Sequence, residues 1–262
     1  MTLERIAQWI DIGLVPYQEA YELQERLAEQ RKAQEIPDTI LTAQHPLEVN
    51  FGMDTKNNQF SPEFLEEISR TTGNGYNLEQ AIQILKERGI LFSQTKRGGG
   101  ATALAPGQLA YYPIVNHEEI TGRTMGISDY KSKIYQVMFS TLRSLGVEGI
   151  NFVQNGSLAT REERRDVWIN RNGKSLKMGS KALRLSGPIA YQGFILYIDK
   201  AGIKPFDLVN PCGYDHDKVS VTSVEEELGR KIDHSLVHQA VKNSIKKYFN
   251  YSKIEGVQYA TA

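Results

Sequence analysis

The 262-residue sequence predicts an α+β fold, a mixed and largely antiparallel sheet flanked by helices. Three observations predict it. Segments with three- and four-residue apolar spacing alternate irregularly with β-branched and aromatic runs, without the regular strand–helix repeat of a parallel sheet. A hairpin signal, Asn172-Gly173, stands between two strand-like runs. The chain is 40% apolar and 24% charged, an ordinary balance for a globular protein with a full core.

The elements follow in order. Pro16 suits a first helical position, and Ala20, Leu23 and Leu27 recur at helical spacing before the charged residues Arg31 and Lys32. Residues 39–52 read as one extended segment. Pro62, Phe64, Leu65 and Ile68 mark a short helix, Leu78, Ala81, Ile82 and Leu85 another, with a loop at 71–75. Strands are predicted at 90–93 and 109–115, separated by the turn Gly98-Gly99-Gly100. A longer helix presents Tyr130, Ile134, Val137, Met138, Leu142 and Leu145 on one face and stops at Gly146. Residues 167–169 and 176–183 flank the hairpin signal, 189–198 is strand-like, and 210–214 is a loop. The tail at about 235–249 reads as an amphipathic helix. The whole chain, 1–262, is expected to be a single catalytic domain with an insertion within 53–96.

Bulk properties exclude several classes. Lysine plus arginine and aspartate plus glutamate number 31 each, so the formal charge is zero and no nucleic-acid footprint is present. The single cysteine forms no internal disulfide, the start lacks a secretory pattern, and no apolar run approaches the roughly 20 residues of a membrane span. No membrane association is expected, and the protein is read as cytoplasmic. No metal is expected, because His45, His117, His216, His234 and His238 show no zinc-like spacing with a second cysteine. His234 and His238 read as surface histidines.

Three constellations could carry chemistry. In Pro211-Cys212-Gly213 the glycine lets a backbone amide approach whatever sits on the sulfur, although a lone thiol also serves as a small buried apolar group. In Arg97-Gly98-Gly99-Gly100-Ala101-Thr102, followed by Gln108, backbone amides could approach a ligand, Arg97 could meet a phosphate or carboxylate, and Gln108 could hold a carbonyl. A flexible surface turn is the alternative. In Lys174-Ser175-Leu176-Lys177-Met178-Gly179, strand alternation aligns Lys174 with Leu176 and Met178. Lys174 is then either an inward, desolvated proton carrier or a hairpin-end lysine in water.

Taken in order, these pieces resemble the lipoyl(octanoyl) transferase family over residues 9 to about 229. Trp9-Ile10-Asp11-Ile12-Gly13 with Tyr17, Ala20, Gln24 and Arg31 is similar to the family's opening helix region, and Gln44-His45-Pro46 with Gly52 to its Glu-His-Pro segment. Arg97-Gly98-Gly99, Thr102 and Pro106-Gly107-Gln108-Leu109 resemble its substrate loop, and Val167-Trp168, Lys174 and Gly179 its lysine strand. Phe206, Pro211-Cys212-Gly213 and Val221-Thr222-Ser223 resemble its catalytic segment.

The resemblance implies the biotin/lipoate protein ligase-like fold, no cofactor, and transfer of an octanoyl group through Cys212 with Lys174 as proton carrier. The donor would be acyl carrier protein. The acceptor would be a lipoyl domain of a 2-oxoacid dehydrogenase or the glycine cleavage H protein. The acyl group would meet Arg97, Gly98, Gly99, Gly100, Ala101, Thr102, Ala103, Leu104, Gln108, Lys177, Met178, Gly179, Gln192, Gly193 and Phe194.

The chain departs from the pattern where the family reads Thr-Tyr-His-Gly-Pro-Gly-Gln and this sequence has Thr102-Ala103-Leu104-Ala105-Pro106-Gly107-Gln108. The family's His-Gly is Gln192-Gly193, and its glycine before Val-Trp is Asp166. Three other readings therefore stay open. One is a diverged acyltransferase with another chain or acceptor, one a non-catalytic binder of acyl carrier protein or lipoyl domains, and one an ATP-dependent ligase.

Overall fold

The computed structural model describes residues 4–53, 60–72, 78–98, 100–124, 126–151, 167–171, 174–209 and 219–258. The chain opens with β1 (Ile6–Leu14), α1 (Tyr17–Lys32), β2 (Asp38–Gln44) and β3 (Glu48–Phe51). It continues with α2 (Pro62–Thr72), α3 (Leu78–Glu87), β4 (Leu91–Gln94), β5 (Ala101–Leu104), β6 (Gln108–Asn116), α4 (His117–Thr121) and α5 (Ile127–Ser144). Next come β7 (Ile150–Asn151), β8 (Val167–Arg171), β9 (Lys174–Ser186), β10 (Ile189–Tyr197), α6 (Lys200–Ile203) and a 3₁₀ turn at Lys204–Asp207. The last elements are β11 (Val219–Val221), α7 (Val224–Leu228), α8 (His234–Phe249) and β12 (Lys253–Gly256).

Among the described residues these strands form a nine-stranded sheet, ordered β12-β1-β2-β6-β10-β9-β8-β7 with β11 also on β9, and a three-stranded sheet, β4-β3-β5. The large sheet is antiparallel from β2 to β7. Among the described residues its parallel pairs are β12–β1, β1–β2 and β11–β9, and the small sheet adds parallel β3–β4 beside antiparallel β3–β5, so the predicted α+β class, mixed and mostly antiparallel, holds. One face packs α5 and α8, through Met138 and Val241, over Tyr111, Met178 and Phe194. The other carries α1 over Leu41, Ala110 and Tyr112. Beside it, α2 and α3, which lie within the span 53–96, cover the small sheet through Phe64, Ile68, Ala81 and Leu85.

Local chemistry explains most of the boundaries. Pro16 precedes α1 with φ −53° but has no side-chain cap to offer, and Glu48 Oε2 accepts the Tyr17 N–H at 3.0 Å instead. The predicted extended run 39–52 divides at His45-Pro46: β2 joins the large sheet and β3 the small one, since a proline nitrogen cannot continue the ladder. The hairpin is confirmed by the register Arg171↔Lys174, while its turn residues Asn172 and Gly173 lie outside the described residues.

Other expectations are corrected. Trp9–Gly13, likened to a helical region, belongs to β1. Thr71 and Thr72 still belong to α2, and the rest of the loop predicted there, like the loop at 210–214, lies outside the described residues. Residues 101–104 form a strand, hidden in sequence because alanine carries no β-branched signal.

One irregularity lies in the middle of the large sheet. Pro113 sits in β6, and the β6–β10 pairing stops at Ala190↔Val115 and resumes at Phe194↔Tyr111. Gly193 fills this gap at φ +155°; a Cβ there would fall on the Tyr111 carbonyl oxygen and within 2.6 Å of Pro113 Cδ. Gln192 beside it adopts the left-handed conformation, φ +68°. That turns its side chain toward α1, together with Tyr191.

Candidate active site

The arginine of the glycine turn points inward. Arg97 is buried, and its Nε donates to Asn50 Oδ1 at 2.5 Å. Nη2 donates to the carbonyls of Asn50 (2.9 Å) and Gly100 (2.6 Å), and Nη1 to that of Gly98 (3.3 Å). The guanidinium therefore shapes the turn from inside by collecting its carbonyls, and the role of meeting a ligand anion directly is not the one its geometry serves. Arg184 Nη1 on β9 donates to the Lys96 carbonyl at 2.8 Å and holds the turn from the outside. Gly99 lies outside the described residues.

Behind the turn is a buried polar cluster in which only Gln192 was assigned to the site from sequence. Asn50 Nδ2 donates to Ser93 Oγ at 2.9 Å and to Thr95 Oγ1 at 3.4 Å, and Ser93 Oγ donates to Glu48 Oε1. Tyr17 donates its hydroxyl to Gln192 Oε1 at 2.5 Å, and Gln24 Oε1 accepts from both the backbone and the side-chain amide of Gln192. Burial pushes the Tyr17 phenol up to about 12, against the opposing pull of Arg97, so it remains a neutral donor. One signal was available: Glu48 and Asn50 alternate with Val49 and Phe51, giving a fully buried strand one polar face.

His45 closes the cluster. Its Nδ1 lies 2.8 Å from the Val15 carbonyl, which can only accept, so Nδ1 carries the proton and Nε2 accepts from Tyr112 Oη at 2.7 Å. Burial outweighs the bond to Val15 and drops the imidazole to about 4. Because that lies below the ordinary 6.5, the unfolded chain takes up the proton first. The stability contribution is complete above about pH 6.5 and falls by about 3 kcal/mol as pH approaches 4. Urea unfolding at pH 7 and pH 4 checks this. Wild type is expected to lose that much more than His45→Gln, and equal losses would remove His45 as the cause.

The remaining nominated residues divide into walls and supports. Thr102, half-buried, pairs with Asn50, while Ala101, Ala103 and Leu104 are buried in β5. Leu104, where the family pattern has histidine, joins the apolar cluster around Tyr17 and Tyr112. Gln108 donates its amide Nε2 to backbone carbonyls of the fold, those of Ala103 (3.1 Å) and Gly202 (2.6 Å), and not to a ligand. Met178 and Phe194 belong to the core on the α5 side, and Gly179 lies against β10 so closely that a Cβ would sit 2.5 Å from the Ile195 carbonyl oxygen. His238, read as a surface histidine, meets Tyr111 Oη through Nδ1 at 3.1 Å and Trp9 edge-on.

The lysines are sorted by depth. Lys174 keeps its strand alternation but lies at the end of the hairpin, exposed, so the inward reading of it does not hold. Lys177 is 3% exposed, opposite Trp168, with Nζ 5.7 Å from the indole centroid. A bulge makes this pairing: Trp168 faces Lys177, Val167 faces Gly179, and Met178 is the extra residue.

Pro211, Cys212 and Gly213 lie outside the described residues, but both flanks are anchored. Val209 bridges to Phe60, and β11 runs parallel to β9 with Val219↔Ser175 and Val221↔Lys177, followed by a bond from Thr222 N to the Lys177 carbonyl at 2.9 Å. A surface cleft of about 440 Å³, lined by Gly146, Ile169, Arg171 and Leu228, contains none of the nominated residues. Among the described residues no three His, Cys, Asp or Glu side chains converge as metal ligands, and no helix is long and apolar enough to cross a membrane.

Comparison with known proteins gives these features a family. The model of the lipoyl protein ligase A/B catalytic domain matches residues 16–246. An octanoyltransferase of Rubrobacter xylanophilus is 31% identical over 251 residues, covering 94% of this chain and 97% of its own. An octanoyltransferase of Syntrophobacter fumaroxidans is 26% identical, covering 94% and 91%, and a mitochondrial octanoyltransferase of Arabidopsis thaliana is 29% identical, covering 93% and 88%. Among solved structures, a bi-partite lipoate protein ligase of Thermoplasma acidophilum, studied with its E2 lipoyl domain, superposes with a TM-score of 0.66. It is 13% identical and covers 98% of this chain and 88% of that one. A lipoate-protein ligase A bound with ATP gives 0.65 at 13% identity, covering 99% and 90%. At such identities the structures establish the shared fold, the one the sequence predicts.

Proposed function

The chain belongs to the lipoyl protein ligase A/B catalytic family, and from that premise we propose that it is an octanoyltransferase of protein lipoylation. It would take the acyl group from acyl carrier protein and pass it to a lysine of a lipoyl domain. The names of its full-length relatives support the reaction class. Within the molecule one observation carries the reading: the strand that leads out of the cysteine segment, β11, pairs along Ser175–Lys177 and ends opposite the buried lysine.

The chemistry then runs in two balanced halves. An amine of β9 takes the Cys212 proton, leaving thiolate and ammonium. The thiolate attacks the donor thioester carbonyl, and the tetrahedral intermediate expels the carrier's thiolate, which takes the proton back from the ammonium. In the second half the acceptor amine attacks the acyl-enzyme thioester and gives its proton to the now neutral lysine. Expulsion of the Cys212 thiolate restores the starting pair. Lys177 suits this work better than Lys174, because it lies buried where β11 ends, whereas Lys174 is exposed at the tip of the hairpin.

Intact-mass measurement tests the proposal. Incubation with octanoyl-acyl carrier protein is expected to add one octanoyl group to the chain without ATP, and a lipoyl domain added afterwards is expected to remove it. A chain that stays unmodified by the donor, or acts only when octanoate and ATP are supplied, would sink this reading.

A further inference from the structure

Tyr17 stands at the seam between the two sheets, and its partners come from separate elements. Its backbone N–H is held by Glu48 of β3, its hydroxyl by Gln192 of β10, and its ring meets His45 edge-on at 5.3 Å. The Glu48 carboxylate that holds the Tyr17 N–H also accepts from Ser93 Oγ, which accepts in turn from Nδ2 of Asn50, the residue that grips Arg97. Tyr17 therefore joins the arm that carries the glycine turn, through its N–H, to the left-handed residue of the β10 kink, through its hydroxyl. A left-handed non-glycine residue is strained and persists only where its surroundings over-determine it. Gln192 is so determined by Tyr17 on one side and Gln24 on the other. Helix α1 itself has no need of the hydroxyl, because Glu48 supplies its N-terminal acceptor and a phenylalanine ring would fill the same space.

On the acyltransferase reading above, we propose that Tyr17 is a positioning residue, locking the Arg97 turn and the Gln192–Gly193 kink into one unit before the acyl donor arrives. Removing the hydroxyl leaves Gln192 Oε1 buried without that donor and lets the two segments move independently. Because the tie exists before binding, its loss falls on ground-state recognition.

The test is Tyr17→Phe, with Gln192→Ala and the double variant completing a cycle. Tyr17→Phe is expected to raise KM for octanoyl-acyl carrier protein about tenfold, the scale of one buried hydrogen bond, with kcat within about twofold of wild type. The double variant is expected to be no worse than the poorer single one. Hydrogen exchange of the full chain is expected to quicken in both segments, 95–98 and 190–194, while α5 is unchanged. Multiplying effects in the cycle, or a KM equal to wild type, would overturn the proposal. A wild-type chain inert toward the donor would defeat the acyltransferase reading instead. The exchange experiment then decides the tie alone: faster exchange in both segments supports it, and unchanged exchange ends it.

Discussion

Cys212→Ser is expected to abolish octanoyl transfer, by on the order of 10⁴-fold or more, the scale of losing a covalent nucleophile. The sequence makes this test unusually clean. With one cysteine in 262 residues, any thioester formed on the chain must be on Cys212. Wild type incubated with octanoyl-acyl carrier protein should yield an adduct labile to neutral hydroxylamine, and the serine variant should yield none. A serine hydroxyl is a far weaker nucleophile at neutral pH, and a lysine matched to a thiol of pKa about 8.5 would be poorly matched to an alcohol. Transfer that continues in Cys212→Ser within a few-fold of wild type would move the chain to a non-covalent route. Recovery only with ATP would place it with the ligases whose fold it shares.

Much of the fold was legible because its helices are long and strictly periodic. Apolar spacing located α1, α5 and α8, and Asn172-Gly173 announced the β8–β9 hairpin. What escaped was set by partners remote in sequence. β1 is a strand because β2 and β12 flank it, and β12 lies some 250 residues away at Lys253–Gly256. Two-, three- and four-residue strands such as β7, β11 and β5 carry too few side chains to display a period.

Legibility of the site followed the same division. Arg97 and Gln192 were found through the order of motifs, but their orientation was not. Arg97 turns inward because Asn50 lies on the neighbouring strand, and Gln192 turns to α1 because Pro113 interrupts the ladder beside Gly193. Tyr17, Gln24 and His45 were visible in the motif order without roles. They acquire them only when α1 and the small sheet close over β10. Within the buried cluster each hydrogen bond that supports the glycine turn also satisfies a polar group that burial would otherwise strand.

The lysine assignment yields the second large effect. Alternation with a strict period of two makes Lys174 the inward candidate, but depth along the strand matters as much as face. Lys174 overhangs the core at the hairpin end, whereas Lys177 lies inside against Trp168, where the bulge at Met178 resets the pairing. Lys177→Ala is expected to slow acylation at pH 7 by about 10²–10⁴-fold, the range of a lost general acid–base group, and Lys174→Ala to leave it within a few-fold. Raising the pH above about 8.5 should restore part of the Lys177→Ala rate, because the thiolate then forms unaided. Lys177→Arg should not recover it, since a guanidinium keeps its proton. Lys177→Met, which preserves the stem's volume, separates chemistry from packing: its thermal midpoint should match wild type while its acylation matches Lys177→Ala. Stopped-flow acylation rates across pH would decide, and the reverse pattern, a silent Lys177→Ala beside a crippled Lys174→Ala, would return the proton-carrying role to the exposed lysine.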